Sequence, residues 1–295
     1  MKLRFDRHAR RKLFSHGITV ASGLTILAVL YPLASILYES ATRGGRVLFQ
    51  LTFVTAVPPN GCSIIACKTV GVGPAIQGTL ILIGIGGGIA LLVGIPAAIF
   101  ASEYRTRGLG RAISFTADVL AGIPSIIMGV FIYSYFVLYD PTITFSAITG
   151  GLALSAIMIP IVVRTTEEAL HTVPNSMREA ALALGISKWR TTLRIVLVAA
   201  LPGVLTGVLL AVMRGAGEAA PLLFTAAGSN IFFQGLNYRV AALPLLIYNF
   251  AESPYSNQVQ VAWGATLLLI SLILIANVFS RYMLSRMVRK MSGGA

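Results

Sequence analysis

Charge is scarce in this sequence. Asp, Glu, Lys and Arg make up 11% of its 295 residues, and only 10 of these are acidic. A soluble globular domain carries about 25% charged residues, so a water-soluble fold is excluded. Soft metal ligands are equally few, with two cysteines and three histidines. That excludes a disulfide-rich scaffold and a cysteine–histidine metal cluster. His8, His16 and His171 lie far apart and read as solvated or packing residues. No GxxxxGK[ST] phosphate loop occurs, so the chain cannot itself hydrolyse ATP in that way. Neither HExxH nor GxSxG is present, which leaves an intramembrane enzyme without a catalytic set. No clear internal repeat is visible, unlike the inverted halves of many secondary transporters.

What the chain has is apolar length. Hydrophobic residues form 56% of it and the mean hydropathy is +0.82. Apolar runs of about 20 residues cross a bilayer as helices, whereas barrel strands alternate over about 10. The expected fold is therefore an all-α integral membrane protein with six transmembrane helices. They are expected near 17–38, 77–101, 113–138, 143–163, 202–224 and 261–283. A basic cytoplasmic N-terminus (1–16) precedes the first span, which is too long for a cleaved signal and lacks a convincing cleavage site. Residues 39–73 form a polar extracytoplasmic loop expected to be irregular. Residues 74–283 hold the other five spans, and 284–295 a cytoplasmic tail.

The net charge of +13 reports topology rather than nucleic acid. Six Lys and Arg sit between Lys2 and Lys12, three between Arg105 and Arg111, five between Arg164 and Arg194, and four between Arg281 and Lys290. The other side holds Arg43, Arg46, Lys68 and Arg239. An even number of spans puts both termini on one side, and the basic side is cytoplasmic. Cys62 and Cys67 share one outer loop, as a bridge or as two free thiols. The "GIGGG", "AGIPS" and "MGV" stretches suit either tight helix packing or broken helices around a pathway. The stretch "VAALPLLIYNFAESP" within 225–260 is apolar but too short to span. It fits an interfacial or re-entrant helix.

One cytoplasmic loop, 164–201, carries a pattern. Pro174 suits the first turn of a helix. Met177, Ala180, Ala181 and Leu184 then recur at i, i+3, i+4 and i+7 as an apolar stripe. Gly185 suits a left-handed stop, and Ser187 can cap a second, basic helix leading into the fifth span. A short amphipathic helix outside the bilayer needs a cover. Membrane surface, the rest of the chain and a partner's groove all qualify.

A second pattern lies inside a span. Arg214 and Glu218 are four apart in "MRGAGEAAPLLFT", where each charge costs about 2.5–3.5 kcal/mol. That spacing allows an ion pair on one face. The pair either holds neighbouring helices together or lines a polar path. An arginine fork suits a tetrahedral oxyanion. A glutamate beside it would hold the arginine while the path is empty and release it to a passing anion. Asp118, near the inner end of the third span, reads as a bond to a neighbouring helix or as a second pathway group.

These motifs carry a resemblance. "EAALALG" followed by "IVL" resembles the EAA loop of ABC importer permeases, with Glu179, Ala180, Ala181, Gly185, Ile195 and Leu197 at the matching places. Val198 stands where the family has proline, and Pro202 follows four residues on. "RGAGEAAPLLFTA", "GIPSIIMGV" and "ALPLLIYNFAESPY" are similar to the A-type permease subunits of the phosphate-specific transport system. The resemblance implies the type I (MetI-like) ABC importer fold and import of inorganic phosphate. Arg214 and Glu218 would then lie on the substrate pathway, and Glu179, Ala180, Ala181 and Gly185 in the ATPase-coupling segment. It further implies a second, unlike permease subunit, a dimer of ATP-binding subunits and an extracytoplasmic phosphate-binding protein. No cofactor is expected on this chain, since ATP and Mg sit on the partner ATPase. Two rivals remain open: a permease for sulfate or molybdate, and an ATP-independent anion carrier.

Overall fold

The computed structural model describes residues 7–59, 71–105, 108–138 and 145–292. Cys62 and Cys67 lie outside the described residues, so the question of their pairing does too. The regular elements among these residues are helical, apart from one isolated parallel bridge between Ala227 and Val240. In chain order they are α1 (Arg7–Glu39), α2 (Gly45–Leu48), α3 (Leu51–Thr55), α4 (Gly73–Glu103), α5 (Gly108–Gly122) and α6 (Ser125–Ile132). Then come α7 (Ala147–His171), α8 (Asn175–Ala183), α9 (Lys188–Thr191) and α10 (Leu197–Ala216). Last are α11 (Ala220–Thr225), α12 (Leu243–Ala251) and α13 (Ser256–Ser292). Single wide π turns at Ser40–Gly44, Tyr133–Val137 and Thr192–Val196 interrupt or end helices.

Among the described residues, five helical stretches are long and apolar enough to cross a membrane, and a bent pair makes a sixth. The expected count holds, but two spans are not the straight helices expected. The third, expected over 113–138, breaks between α5 and α6, whose axes differ by 103°. Pro124 is extended there, with ψ 134°, and serves as the residue before α6. Its missing N–H and its ring make a continuous helix costly at that point. The fifth, expected over 202–224, stops at Ala216 and restarts at Ala220. A continuous helix would press the Pro221 ring against the Gly217 carbonyl, and Gly215 and Gly217 are weak helix formers. At its other end this span begins early: Lys188–Ala216 is helical for 29 residues through α9, a π turn and α10.

Two further boundaries move. The fourth span runs Ala147–His171, eight residues past its expected end. The loop after the first span is less irregular than expected. The helix continues through Ser40–Gly44 into α2, and α3 follows. Gly44 lies so close to α13 that a Cβ would come within 2.9 Å of the Trp263 carbonyl carbon. Tertiary packing thus overrides the weak helix propensity of Gly44 and Gly45. Phe53 is fully buried and seats α3 beside Val261 and Phe250.

The bundle is centred on α7, which packs between α4 and α10. Small residues set those approaches. A Cβ on Gly86 would come 2.9 Å from the Gly151 carbonyl oxygen, and one on Gly94 would come 2.9 Å from Val162. Gly207 abuts Thr165, and Gly215 abuts Met158. Close backbone approach of this kind drives helix association in lipid, where burial from water supplies no force. Gly84 and Gly88 of the same "GIGGG" run face open space, so only part of that run serves packing.

At the α12 end of the bundle, loops satisfy the helix starts. The Ser146 hydroxyl accepts from Thr149 N at 3.2 Å, and the Thr149 hydroxyl accepts from Ser146 N at 3.1 Å. This capping box fills orphan donors at the start of α7. Ala147 N and Ile148 N donate to Tyr238 and Leu236 carbonyls, and the Thr149 hydroxyl donates to Thr225 O at 2.8 Å. Leu243 N, opening α12, donates to the Thr79 hydroxyl of α4 at 2.8 Å. α12 itself is buried against α4 and α13 through Leu243, Leu246 and Phe250. The first span stands apart: its apolar window has no buried residue.

Candidate pathway and coupling sites

Two kinds of site emerge, far apart in the fold. The first is the break after α10. Arg214 occupies the last turn of α10, where the helix dipole favours a cation. Glu218 lies just past the end, in the turn that precedes α11, rather than on the helix as expected. The chain's turn still brings the two together, with Arg214 Nη2 to Glu218 Oε1 at 2.8 Å. Their surroundings differ sharply. The Glu218 side chain is only 11% exposed, whereas the Arg214 side chain is 58% exposed. Glu218 is held inside the bundle; Arg214 points out of it. Gly215 and Ala216 are buried beside them and let α10 pack on α7.

The second site is at the opposite end of α10. α8 follows Pro174, which sits one position before the first turn instead of within it. Gly185 ends the segment with φ +78°, the left-handed conformation expected of it. Ser187 precedes α9 but makes no side-chain cap bond. The apolar stripe is split. Ala181 is buried, while Met177, Ala180 and Leu184 face outward, Leu184 with 81% of its surface exposed. Leu182 and Trp189 add to this open apolar surface. Glu179 is exposed at the edge of the same patch. The structure therefore groups Glu179, Ala180, Ala181 and Gly185 at one end and keeps them away from Arg214 and Glu218.

What holds α8 to the bundle is an ion cluster that no sequence spacing announces. Arg178 Nη1 pairs with Glu103 Oε1 at the end of α4, and Arg178 Nη2 donates to the Leu170 carbonyl of α7 at 3.2 Å. Lys188 of α9 reaches the other Glu103 oxygen at 3.5 Å and lies 4.8 Å from the Tyr104 ring centre. One carboxylate so joins three helices, and the Arg178 fork adds a fourth.

A separate cluster ties α5 to α7. Arg164 binds Asp118 through Nε and Nη2, and its Nη1 donates to Glu167 Oε2 at 3.0 Å. The Ser114 hydroxyl donates to the other Glu167 oxygen at 3.0 Å. Asp118 thus has the bond to a neighbouring helix that was one of its two expected roles. Among the described residues, no group of three or more His, Cys, Asp or Glu is placed to hold a metal ion.

Comparison with known proteins adds a family. Residues 94–289 match the family of binding-protein-dependent transport system inner membrane components. The phosphate transport system permease protein PstA of Yersinia pestis is 37% identical, over 97% of this chain and 95% of the relative. PstA of Haemophilus influenzae is 38% identical, over 92% of this chain and 94% of its own length. A probable PstA of Methanocaldococcus jannaschii is 35% identical, over 94% and 95%. Among solved structures, the inward-facing MetNI methionine ABC transporter superposes with a TM-score of 0.57 at 17% identity, covering 72% of this chain and 95% of the matched one. At that identity the match reports the fold: the MetI-like helical bundle.

Proposed function

Because the chain belongs to the binding-protein-dependent transport system inner membrane components, we propose that it is a permease subunit of an ABC importer for inorganic phosphate. The relatives' printed role supplies the substrate, and their match runs nearly end to end. One structural observation carries the mechanism: the Arg214 guanidinium, 58% exposed, on a membrane-crossing helix. Facing lipid, such a group costs about 2.5–3.5 kcal/mol or more near the bilayer centre. It therefore faces a polar path whose other wall is a second permease subunit.

At that path the two charges divide the work. Glu218, packed inside the bundle, fixes Arg214 through one ion pair and leaves the rest of the fork open. A phosphate arriving from an extracytoplasmic binding protein takes that fork with two parallel bonds. Glu218 reclaims it when the ion leaves, so the arginine is never left as a bare charge.

The chain holds no ATP loop of its own, and the drive comes from a partner. The open apolar face of Met177, Ala180 and Leu184, with Glu179 beside it, docks on a dimer of ATP-binding subunits. This exposed face also argues against an ATP-independent carrier, which needs no such surface. On this reading the α8 end is cytoplasmic, as are both termini, and the α12 end meets the binding protein.

The test is radiolabelled phosphate uptake in cells lacking the chain, complemented by the intact protein or by Arg214→Gln. Excess sulfate and molybdate serve as competitors. Uptake restored by the intact chain, lost with Arg214→Gln at normal membrane levels and blind to the competitors supports the reading. Block by sulfate replaces phosphate with another oxyanion, and full uptake with Arg214→Gln makes the pair structural.

A further inference from the structure

Thr206, Leu210 and Arg214 recur every four residues and share one side of α10. From Arg214 toward the α8 end, that side borders a cleft of about 590 Å3 between α10 and α13. Thr206, Leu210 and Met213 line it from α10; Asn277, Arg281 and Leu284 line it from α13. Arg281 is the cation of this cleft. Its Nε donates to Asn277 Oδ1 at 3.0 Å, one helical turn back on α13.

Its partner differs in kind from those of the salt-bridged arginines. Arg43, Arg164, Arg178 and Arg214 each have a carboxylate within salt-bridge distance. Arg281 has none among the described residues. An amide oxygen orients the fork without neutralising it. The bond uses Nε and leaves Nη1 and Nη2 to donate to oxyanion oxygens. An oriented, uncompensated cation beside apolar walls attracts an anion, and Arg281 is exposed to receive one.

We propose that Arg281, oriented by Asn277, is a second phosphate station on the α8 side of Arg214. The inference rests on the phosphate-permease reading and extends it by one site. Arg214 must surrender the ion for transport to finish, and Glu218 competes for Arg214 from one side. Arg281 supplies the uncompensated acceptor toward which the ion is released. The groove's apolar walls and cationic end also suit the phosphate group of an anionic lipid, so the test must separate the two sources.

The complete complex, reconstituted in vesicles with its partner subunits, is assayed for phosphate uptake and ATP hydrolysis together. Arg281→Gln should lower uptake per ATP hydrolysed by about tenfold, the worth of one charge-assisted hydrogen bond to the ion. Asn277→Ala keeps the charge and its topology signal, and should lower the ratio by about threefold through loss of orientation alone. If Arg281→Gln fails to assemble, Asn277→Ala decides. A ratio unchanged in Asn277→Ala and in any assembled Arg281→Gln complex overturns the station. Each measurement is repeated in vesicles with and without anionic lipid. The same deficit in both supports an inorganic-phosphate station; a deficit confined to anionic vesicles assigns the site to a lipid headgroup and overturns it. The two readings fail separately. An intact complex that imports sulfate instead, with the same Arg281→Gln deficit, keeps an anion station and removes phosphate as the substrate. Phosphate import indifferent to both substitutions keeps the substrate and removes the station.

Discussion

The Arg214–Glu218 pair and the Glu103 cluster are both ionic, and they are built in opposite ways. The first joins residues four apart, and its arginine is more than half exposed. The second joins one carboxylate to Arg178 and Lys188, 75 and 85 residues further along the chain, with Glu103 and Arg178 largely buried. A local pair with an open fork can exchange its partner for an ion in solution. A cluster that uses both oxygens of one carboxylate and ties separate helices is a fixed joint. The difference matches the two tasks proposed: handling an ion at the break in α10, and keeping α8 in step with α4 and α7.

The largest effect is expected where the exchangeable charge is inverted. Arg214→Glu places two carboxylates against any arriving phosphate and removes bonds worth about 1.5–3 kcal/mol each. Uptake in complemented cells should fall by at least about a hundredfold, while ATP hydrolysis by the purified complex persists. Retained uptake would mean that the exposed guanidinium is not on the path. The next effect falls on the fixed joint. Arg178→Glu sets two carboxylates side by side at the end of α4, and breaking a largely buried pair costs about 3 kcal/mol. The complex should lose most of its transport per ATP hydrolysed. The exchange Glu103→Arg with Arg178→Glu should restore it, because the geometry needs opposite charges more than it needs their order. A double exchange as poor as the single change would show that the cluster is not a joint in this sense.

These two regions also mark what the sequence discloses. Arg214 and Glu218 stand out in a sequence with 11% charge, because an apolar run makes each ion conspicuous. The α8 segment is legible for a related reason: a 3.6-residue period and a glycine stop are local signals. What the sequence hid is the turn itself. Spacing of four implied one helical face for the pair, yet Pro221 stops the helix and the pair forms across its end. Pro124 breaks α5 from α6 in the same way. A proline in a hydrophobic run shows where a helix is weak, but packing decides how far it bends; here Gly129 abuts Pro221 and locks both breaks together. Glu103 was invisible, since its partners are far off in sequence and its own neighbourhood, "ASEYRTR", reads as an ordinary basic loop. The split of the apolar stripe was hidden too, because periodicity names a face without saying which half the protein covers.

Intermediate effects test each region more gently. Gly185→Ala forces a side chain into φ +78°, at a cost of about 1–2 kcal/mol. Nothing lies within 4 Å of a Cβ there, so the strain is purely conformational. Affinity of the permease for its ATP-binding subunits should weaken by about tenfold, with membrane insertion unchanged. Undiminished affinity would separate the segment from docking. Glu218→Gln keeps a hydrogen-bond acceptor but removes the charge that reclaims Arg214. Phosphate should then dwell longer, and the maximal uptake rate should fall by about threefold to tenfold, the worth of one charge-assisted bond. An unchanged rate would end the exchange mechanism and leave the pair as a structural tie.

The smallest effect is expected at Asp118, and its smallness is what makes it useful. Asp118 pairs with Arg164 across α5 and α7, a link as distant in sequence as a fixed joint should be. Its side chain is nevertheless half exposed, and Arg164 keeps a second carboxylate in Glu167, which is buried and also held by Ser114. Exposed pairs contribute about 0–1 kcal/mol. Asp118→Asn should therefore shift the thermal midpoint of the complex slightly and leave uptake per ATP hydrolysed unchanged. Were it instead to uncouple transport as Arg178→Glu does, any charge at that end of the bundle would serve coupling, and the Glu103 joint would lose its special standing. A difference between the two substitutions would show that coupling depends on where a carboxylate ties the helices, since charge is removed or inverted in both.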